Sequence, residues 1–234
     1  MLKVEALKAG YGRIPVVSDI SMEVEAGRIT AVLGANGAGK TTLVKALSGL
    51  IRPMAGRVLI AGHDITGAAP SAATRAGGRL LLDGHRVFPD LSVHDNLKIA
   101  AIATGSRREF ELLCDEYFEV FPILKQKRKD YARTLSGGQQ QILALTQAFL
   151  CQPKVLLCDE PSIGIAQALI PTILKELRNF ASRGGAVVLV EQQIQMSLKV
   201  SDTALVMDRG SIRLSGTASN LMSDERIRKI YMGN

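Results

Sequence analysis

The fold of this chain is decided by a glycine-rich stretch near its start, Gly34-Ala35-Asn36-Gly37-Ala38-Gly39-Lys40-Thr41. A short apolar run, residues 29–33, precedes it, and residues 40–50 follow with the apolar spacing of a helix. The stretch matches GxxxxGKT between a strand and a helix, where backbone N–H groups and the helix N-terminus surround phosphate. Lys40 would add a full charge and Thr41 a hydroxyl ligand for Mg²⁺. A turn that merely caps a helix would explain the glycines, but not Lys and Thr at this offset.

The remaining pattern predicts an α/β fold around that stretch. Residues 154–158 and 186–190 repeat the short apolar run, each entered from a Pro or a Gly-Gly pair, so three parallel core strands are expected. Other segments alternate in the manner of antiparallel strands: residues 2–7, 18–24, 57–60, 203–207 and 211–215. Together these patterns predict a mixed β-sheet core with an antiparallel β flank.

A helical segment interrupts this alternation. Residues 93–148 carry few strand signals, with residues 110–121 apolar on one side and Pro122 as a breaker. Residues 70–79 are interpreted as a connector. Because no repeat or linker is present, we expect a single domain with an inserted helical subdomain. The expected parts are a catalytic core of residues 1–87 and 149–234 and a helical subdomain of residues 88–148.

Composition narrows the classes of function. The 234 residues are 47% hydrophobic and 22% charged, which is ordinary for a globular protein. The longest apolar runs fall far short of the roughly 20 residues that span a bilayer, and the N-terminus lacks a secretory signal, so a cytosolic chain is expected. The three cysteines and three histidines show no metal-site spacing, so no structural metal is expected. The net charge of +7 would suit nucleic acid, anionic lipid or ATP and does not choose among them.

A second chemical motif is the acidic end of the strand predicted near residue 155, where Asp159 and Glu160 follow each other. Asp159 would hold Mg²⁺ through water. Glu160 would point toward the γ-phosphate, where it can orient and deprotonate the attacking water. Many strands end in acidic turns, so the pair alone says little. With a phosphate loop upstream, the pair indicates nucleotide hydrolysis.

A third motif resembles the LSGGQ signature of ABC ATPases: Leu135-Ser136-Gly137-Gly138-Gln139-Gln140-Gln141. It precedes the acidic pair at the spacing found in that family. Ser136 and the two glycines at a helix start would form a second anion site. The resemblance implies that this site meets the γ-phosphate held by an opposite subunit, so two chains would face each other head to tail. Taken alone, Ser-Gly-Gly would be better interpreted as a plain N-cap.

Nearly the whole chain is similar to the ATPase subunits of branched-chain amino acid importers. The shared segments are Tyr11-Gly12, Arg86-Val87-Phe88-Pro89, Val190-Glu191-Gln192 and Ile230-Tyr231-Met232-Gly233. The resemblance implies an ABC-type P-loop ATPase fold with ATP and Mg²⁺ as cofactors. Tyr11 would stack on adenine, although without the family an ordinary strand-end tyrosine explains it nearly as well. The ATP contacts implied are Tyr11, Gly34, Ala35, Asn36, Gly37, Ala38, Gly39, Lys40, Thr41, Thr42, Ser136, Gly137 and Gly138.

Three positions depart from the general ABC pattern. Asp83 stands where most members carry a glutamine that touches Mg²⁺; it would reach the metal through water or cap a turn. Gln192 replaces the switch histidine, and its amide can still donate to the γ-phosphate but cannot gain a proton near neutral pH. Ser162 lies in a segment that lacks the aspartate common after the acidic pair. The sites implied are Glu160 and Gln192 as catalytic residues, and Thr41, Asp83 and Asp159 as metal ligands.

The resemblance implies the ATP-hydrolysing subunit of an ABC importer that energises uptake of branched-chain or related amino acids. The implied partners are a second ABC ATPase subunit, identical or related, transmembrane permease subunits docking near residues 83–88, and a separate solute-binding protein. The chain would lie peripherally on the cytoplasmic face of the inner membrane, and no nucleic acid is expected. Two alternatives stay open: a regulatory partner that binds ATP but hydrolyses it weakly, and a non-transport ABC ATPase acting on nucleic acid.

Overall fold

The computed structural model describes residues 1–82, 87–104 and 107–227. Its strands are β1 (Leu2–Tyr11), β2 (Ile14–Val24), β3 (Ile29–Gly34), β4 (Ala55–Ile60), β5 (His63–Asp64), β6 (Gly78–Leu81), β7 (Val155–Asp159), β8 (Ala186–Val190), β9 (Thr203–Asp208) and β10 (Ser211–Thr217). Its helices are α1 (Lys40–Leu47), α2 (Pro70–Arg75), α3 (Val93–Ala100), α4 (Arg107–Val120), α5 (Pro122–Gln126), α6 (Gly137–Leu150), α7 (Ile170–Ser182), α8 (Ile194–Val200) and α9 (Ala218–Met222). The described residues form two compact units. We call them the core unit, from residues 1–80, 154–160 and 175–227, and the helical unit, from residues 81–153 and 161–174.

An antiparallel sheet in the core unit has the strand order β2-β1-β4-β5. β1 pairs antiparallel with both β2 and β4, and Leu2 lies opposite Val24 on one side and Ile60 on the other. Most alternate residues of β1 are buried, because a sheet with one solvated face turns every second side chain to the core. The antiparallel strands predicted at residues 2–7, 18–24 and 57–60 are confirmed.

The second sheet has the order β10-β9-β3-β8-β7-β6. Strands β3, β7 and β8 are buried at every residue, and β8 runs parallel to both β3 and β7. A continuous apolar run suits this position, since both faces of a parallel sheet are covered. The three predicted parallel core strands are confirmed.

Strand β9 corrects the prediction for residues 203–207, which we assigned to the antiparallel flank. It runs parallel to β3 and so joins the core sheet, and β10 lies antiparallel to it. Its two faces enter different apolar clusters, with Leu205 and Met207 in one and Ala204 and Val206 in the other. Burial of both faces is the physical reason that this strand behaves as a core strand.

Residues 70–79, expected as a connector, contain a helix and the start of a strand. α2 begins at Pro70, whose fixed φ suits the first helical position, and β6 follows at the edge of the second sheet. These elements have six and four residues, too few for a periodic pattern to be recognised. α1 also ends earlier than the helix expected over residues 40–50, at Leu47, and Leu50 is half exposed.

Helices fill the helical unit, as predicted for residues 93–148. One side of α4 is buried through Phe110 and Phe118, and Tyr117 stacks on Phe149 of α6 with ring centroids 5.5 Å apart. Pro122 separates α4 from α5 by taking the first position of the new helix. Across the described ranges, no helix is both long and apolar enough to cross a membrane.

The buried side-chain amide of Asn96, in α3, forms hydrogen bonds with residues 88–92, which precede this helix. Its side-chain nitrogen donates to the carbonyl oxygens of Phe88, Leu91 and Ser92 at 2.9, 3.2 and 3.0 Å. Its side-chain oxygen accepts from the N–H of Phe88 at 2.8 Å and from the amide of Gln147 in α6 at 3.2 Å. Asn96 therefore ties residues 88–92 to α3 and links α3 to α6.

Candidate functional site

The glycine-rich stretch lies where β3 meets α1 in the core unit, in the strand–turn–helix context that the sequence predicted. Gly37 and Gly39 have φ angles of 82° and 100°, a region that favours glycine. A Cβ on Gly39 would lie 2.9 Å from Cγ1 of Val17 in β2. The loop therefore needs glycine both for its own turn and for its close approach to β2.

Lys40 is folded back onto this loop. Its Nζ donates to the carbonyl oxygens of Gly34 at 2.7 Å and of Ala35 at 3.1 Å. Burial lowers the pKa of Lys40, and the nearby carboxylates of Glu160 and Asp159 oppose that effect. The ammonium group is thus held next to the exposed tip of the loop with two partners that another acceptor can replace.

A pocket of about 180 Å³ opens beside the loop. Its lining comprises Val16, Asn36, Gly37, Gly39, Lys40, Thr41, Thr42 and Glu160. Val16, a residue of β2, was not predicted from the sequence. No local signal marks it, because its place in the pocket depends on how the antiparallel sheet packs against the loop.

Asp159, the last residue of β7, is buried behind Thr41. The Thr41 hydroxyl donates a hydrogen bond to its carboxylate, and burial raises the pKa of Asp159 against that bond and the charge of Lys40. Within the part of the chain that the structure describes, Oδ1 of Asp159 is buried and has no hydrogen-bond partner. A buried, unpartnered carboxylate oxygen beside a hydroxyl fits Mg²⁺, which prefers oxygen ligands.

Two contacts hold Glu160 against the end of β8 and the residues that follow it, and its φ of 51° is unusual for a residue with a side chain. In the first contact, the N–H of Glu160 donates to the carbonyl oxygen of Val190 at 2.9 Å. Nε2 of Gln192 donates to both carboxylate oxygens of Glu160, at 2.9 and 2.8 Å. The two residues predicted as catalytic are thus brought together.

Gly210, a buried residue in the turn between β9 and β10, forms a hydrogen bond with the phosphate loop. The N–H of Gly210 donates to the carbonyl oxygen of Ala38 at 3.0 Å, and its own oxygen accepts from the N–H of Ser18 at 2.9 Å. Its φ is 79°, and a Cβ there would lie 2.0 Å from the carbonyl oxygen of Val16. Gly210 was not predicted from the sequence, although a glycine between two predicted strands is a turn signal.

The signature residues begin α6 in the helical unit. Ser136 is the N-cap: its hydroxyl accepts from the N–H of Gln139 at 3.3 Å, and its N–H donates to the Gln139 side chain at 3.0 Å. A Cβ on Gly138 would lie 2.8 Å from the carbonyl oxygen of Gly164. The capping geometry is present, and Ser136 and Gly137 are exposed at the helix start.

Two predicted residues stand apart from this cluster. Tyr11 is 52% exposed at the end of β1, opposite Ile14, and does not line the 180 Å³ pocket as the described residues form it. Asp83, the predicted metal ligand, lies outside the described residues.

Residues 17–163 match the family described as ABC transporter. The chain is 35% identical to the high-affinity branched-chain amino acid transport ATP-binding protein BraG of Pseudomonas aeruginosa, over 100% of both chains. It is 36% identical to the probable branched-chain amino acid transport ATP-binding protein LivF of Archaeoglobus fulgidus, over 100% of this chain and 99% of that one. It is also 31% identical to the lipopolysaccharide export system ATP-binding protein LptB of Haemophilus influenzae, over 100% and 97%.

Solved structures share the fold. The ATP-binding subunit of an ABC transporter superposes with a TM-score of 0.87 at 24% identity, covering 99% of this chain and 95% of that one. A nucleotide-free ATP-binding cassette superposes with a TM-score of 0.82 at 24% identity, covering 100% and 99%. The predicted class, an α/β ATP-binding cassette with a mixed core sheet, an antiparallel flank and helices, is confirmed.

Proposed function

This chain belongs to the ABC transporter ATP-binding family, and from that premise we propose that it hydrolyses ATP to drive an importer. One observation carries the proposal. Lys40, Thr41 and Glu160 line one pocket, and Asp159 lies behind Thr41 with a buried oxygen that lacks a partner in the described structure. These are the groups that phosphate binding, metal binding and activation of water each need.

ATP would bind with its phosphates in the loop of residues 34–42. Lys40 would exchange the carbonyl oxygens of Gly34 and Ala35 for phosphate oxygens, since a hydrogen bond between two charged groups is the stronger one. The exposed ring of Tyr11 would stack on adenine.

Glu160 would act as the general base. A water between Glu160 and the terminal phosphorus gives its proton to the carboxylate while its oxygen bonds to phosphorus and the bond from phosphorus to ADP breaks. Such proton acceptance contributes roughly 10²–10⁴ in rate. Mg²⁺ held through Thr41 and Asp159, with Asp83 as a further ligand, would supply positive charge to the phosphate oxygens.

The working unit would be a head-to-tail pair of ATPase subunits. In our proposal, the loop of one subunit and residues 136–138 of the other, carried on a subdomain of residues 88–148, enclose ATP between them. The start of α6 supports such a role, because Ser136 and Gly137 are exposed there at the positive end of the helix. Transmembrane permease subunits and a solute-binding protein would complete the importer, and the chain would lie on the cytoplasmic face of the membrane.

The proposed solute is a branched-chain or related amino acid, because BraG and LivF are named for that transport. Similarity to LptB supports a second candidate, the export of lipopolysaccharide. The two differ in their membrane partners. Identification of the chains that co-purify with this subunit from native membranes would separate them.

The experiment that tests hydrolysis is Glu160→Gln. The amide is nearly isosteric but cannot accept the proton of water, so turnover should fall about 10²-fold or more while ATP binding persists. Steady-state phosphate release and a fluorescent ATP analogue measure the two properties. Glu225→Gln, at an exposed residue, is the matched control and should behave as wild type. Full turnover in the Glu160 variant would contradict the proposed base.

A further inference from the structure

The amide of Gln192 is a group that can donate a hydrogen bond to the γ-phosphate. In the structure, Nε2 lies 2.9 Å from Oε1 and 2.8 Å from Oε2 of Glu160, so the amide faces the carboxylate with both of its hydrogens available to it. The pocket lining includes Glu160 but, within the described chain, not Gln192. Of the two bonded side chains, Glu160 is therefore the one that reaches the space beside the phosphate loop.

The backbone around this contact is also fixed. Asp159 pairs with Val190 across β7 and β8, and the next N–H, that of Glu160, donates to the oxygen of Val190. Gln192 follows two residues later, so the end of one strand holds the main chain of Glu160 and also its side chain. The left-handed φ of Glu160 is a strained conformation that such surroundings must maintain.

We propose that Gln192 is a positioning residue that acts through Glu160 and does not contact the γ-phosphate. This inference rests on the proposed function, in which Glu160 accepts the proton of water. The side chain of Glu160 turns about three bonds, and a donor shared by both carboxylate oxygens selects one orientation. A small loss of that orientation reduces the rate of proton transfer while leaving nucleotide binding intact.

The discriminating variant is Gln192→Met, which keeps the length of the side chain and removes its donor. The turnover number should fall about 10-fold or more, with the dissociation constants of ATP and ADP changed less than about twofold. Gln193→Met is the matched control, because Gln193 is an exposed neighbour whose side chain makes no capping bond. The control should retain wild-type turnover, and the melting temperatures of both variants should match that of the wild type.

A double variant tests whether the effect passes through Glu160. In a Glu160→Gln chain there is no base to position, so adding Gln192→Met should not lower the residual single-turnover rate further. Gln192→His supplies a ring N–H in place of the amide donor, so this variant should keep part of the turnover that Gln192→Met loses. Recovery by a donor is a result that a purely structural role would not give.

Three results would overturn the inference, and they are distinguishable from a failure of the proposed function. Weaker ATP but unchanged ADP binding in Gln192→Met, in either background, would show that the amide meets the γ-phosphate. Wild-type turnover in Gln192→Met, with turnover abolished in Glu160→Gln, would remove only the positioning role. Full turnover in Glu160→Gln, or none in the wild type, would remove the proposed function and this inference together.

Discussion

At the scale of single residues, Asp159 is a charge that the folded chain stabilises poorly. Burial raises its pKa and Oδ1 has no partner among the described residues, so we expect Asp159→Asn to stabilise the nucleotide-free chain. A gain of about 1 kcal/mol would raise the melting temperature by roughly 2–4 °C in a chain of this size. The amide oxygen can still accept from Thr41. Thermal unfolding without ligand measures the effect.

ATP with Mg²⁺ should raise the melting temperature of the wild-type chain more than ATP alone. Asp159→Asn should lose this difference, because a neutral amide is a weaker ligand for Mg²⁺. Melting curves with ATP plus chelator and with Mg²⁺-ATP give the comparison. Asp115→Asn, at an exposed residue of α4, is the control and should change neither value. A lower melting temperature in the Asp159 variant would show that its charge is compensated in the nucleotide-free chain.

Contiguous motifs could be predicted residue by residue, and long-range contacts could not. The loop from Gly34, with Lys40 at its end, and the pair Asp159-Glu160 each have a meaning within a few residues of sequence. The bond from Gln192 to Glu160 joins positions 32 residues apart and depends on how β7 pairs with β8. The roles assigned to these residues stay predictions, as does the role of Asp83.

At the scale of elements, Asn96 holds α3, α6 and the segment before α3 together. Asn96→Ala should leave the N–H of Phe88 without its side-chain acceptor, and the buried amide of Gln147 would keep only its bond to the backbone oxygen of Asn96, at 2.9 Å. Loss of a partner costs an unsatisfied group about 1–3 kcal/mol, and the truncation also empties a fully buried position, so we expect a loss of about 2–3 kcal/mol in the free energy of unfolding. Urea unfolding followed by circular dichroism measures it.

Lys98→Ala is the control for this prediction. Lys98 lies on the same helix two residues later, is exposed, and should cost less than about 0.5 kcal/mol. Equal losses in the two variants would mean that α3 responds to any truncation and that Asn96 has no special role.

Elements with the same burial at every residue could be predicted from the sequence. β3, β7 and β8 are buried on both faces throughout, so their apolar runs identify them. The prediction that β9 belongs to the antiparallel flank was wrong. Its alternating sequence resembles that of a flank strand, and only the two apolar clusters that cover its faces in the folded chain distinguish it. β6 and α2 were missed because they are short.

At the scale of the whole molecule, the head-to-tail pair that we propose predicts complementation between two defective chains. Lys40→Ala removes the positive charge that would face the phosphates of ATP. Ser136→Glu places a negative charge at the exposed start of α6. Each variant alone should be inactive. In an equal mixture, half of the dimers would carry one intact site, so turnover should recover to about a quarter of the wild-type value.

Measuring ATPase rates after the two chains are mixed tests this, and a mixture of each variant with itself at the same total concentration is the control. No recovery, with both variants folded by melting temperature, would contradict pairing between two copies of this chain.

The turn at Gly210 also limits how this chain can be re-engineered. A two-stranded hairpin turn is normally a safe place to insert a tag or to create new chain ends. Here the turn glycine is buried, and its N–H and carbonyl oxygen bridge Ala38 of the phosphate loop and Ser18 of β2. Cutting or lengthening the hairpin would release the loop from the sheet that supports it. Reporter insertions and circular permutants should therefore avoid this turn.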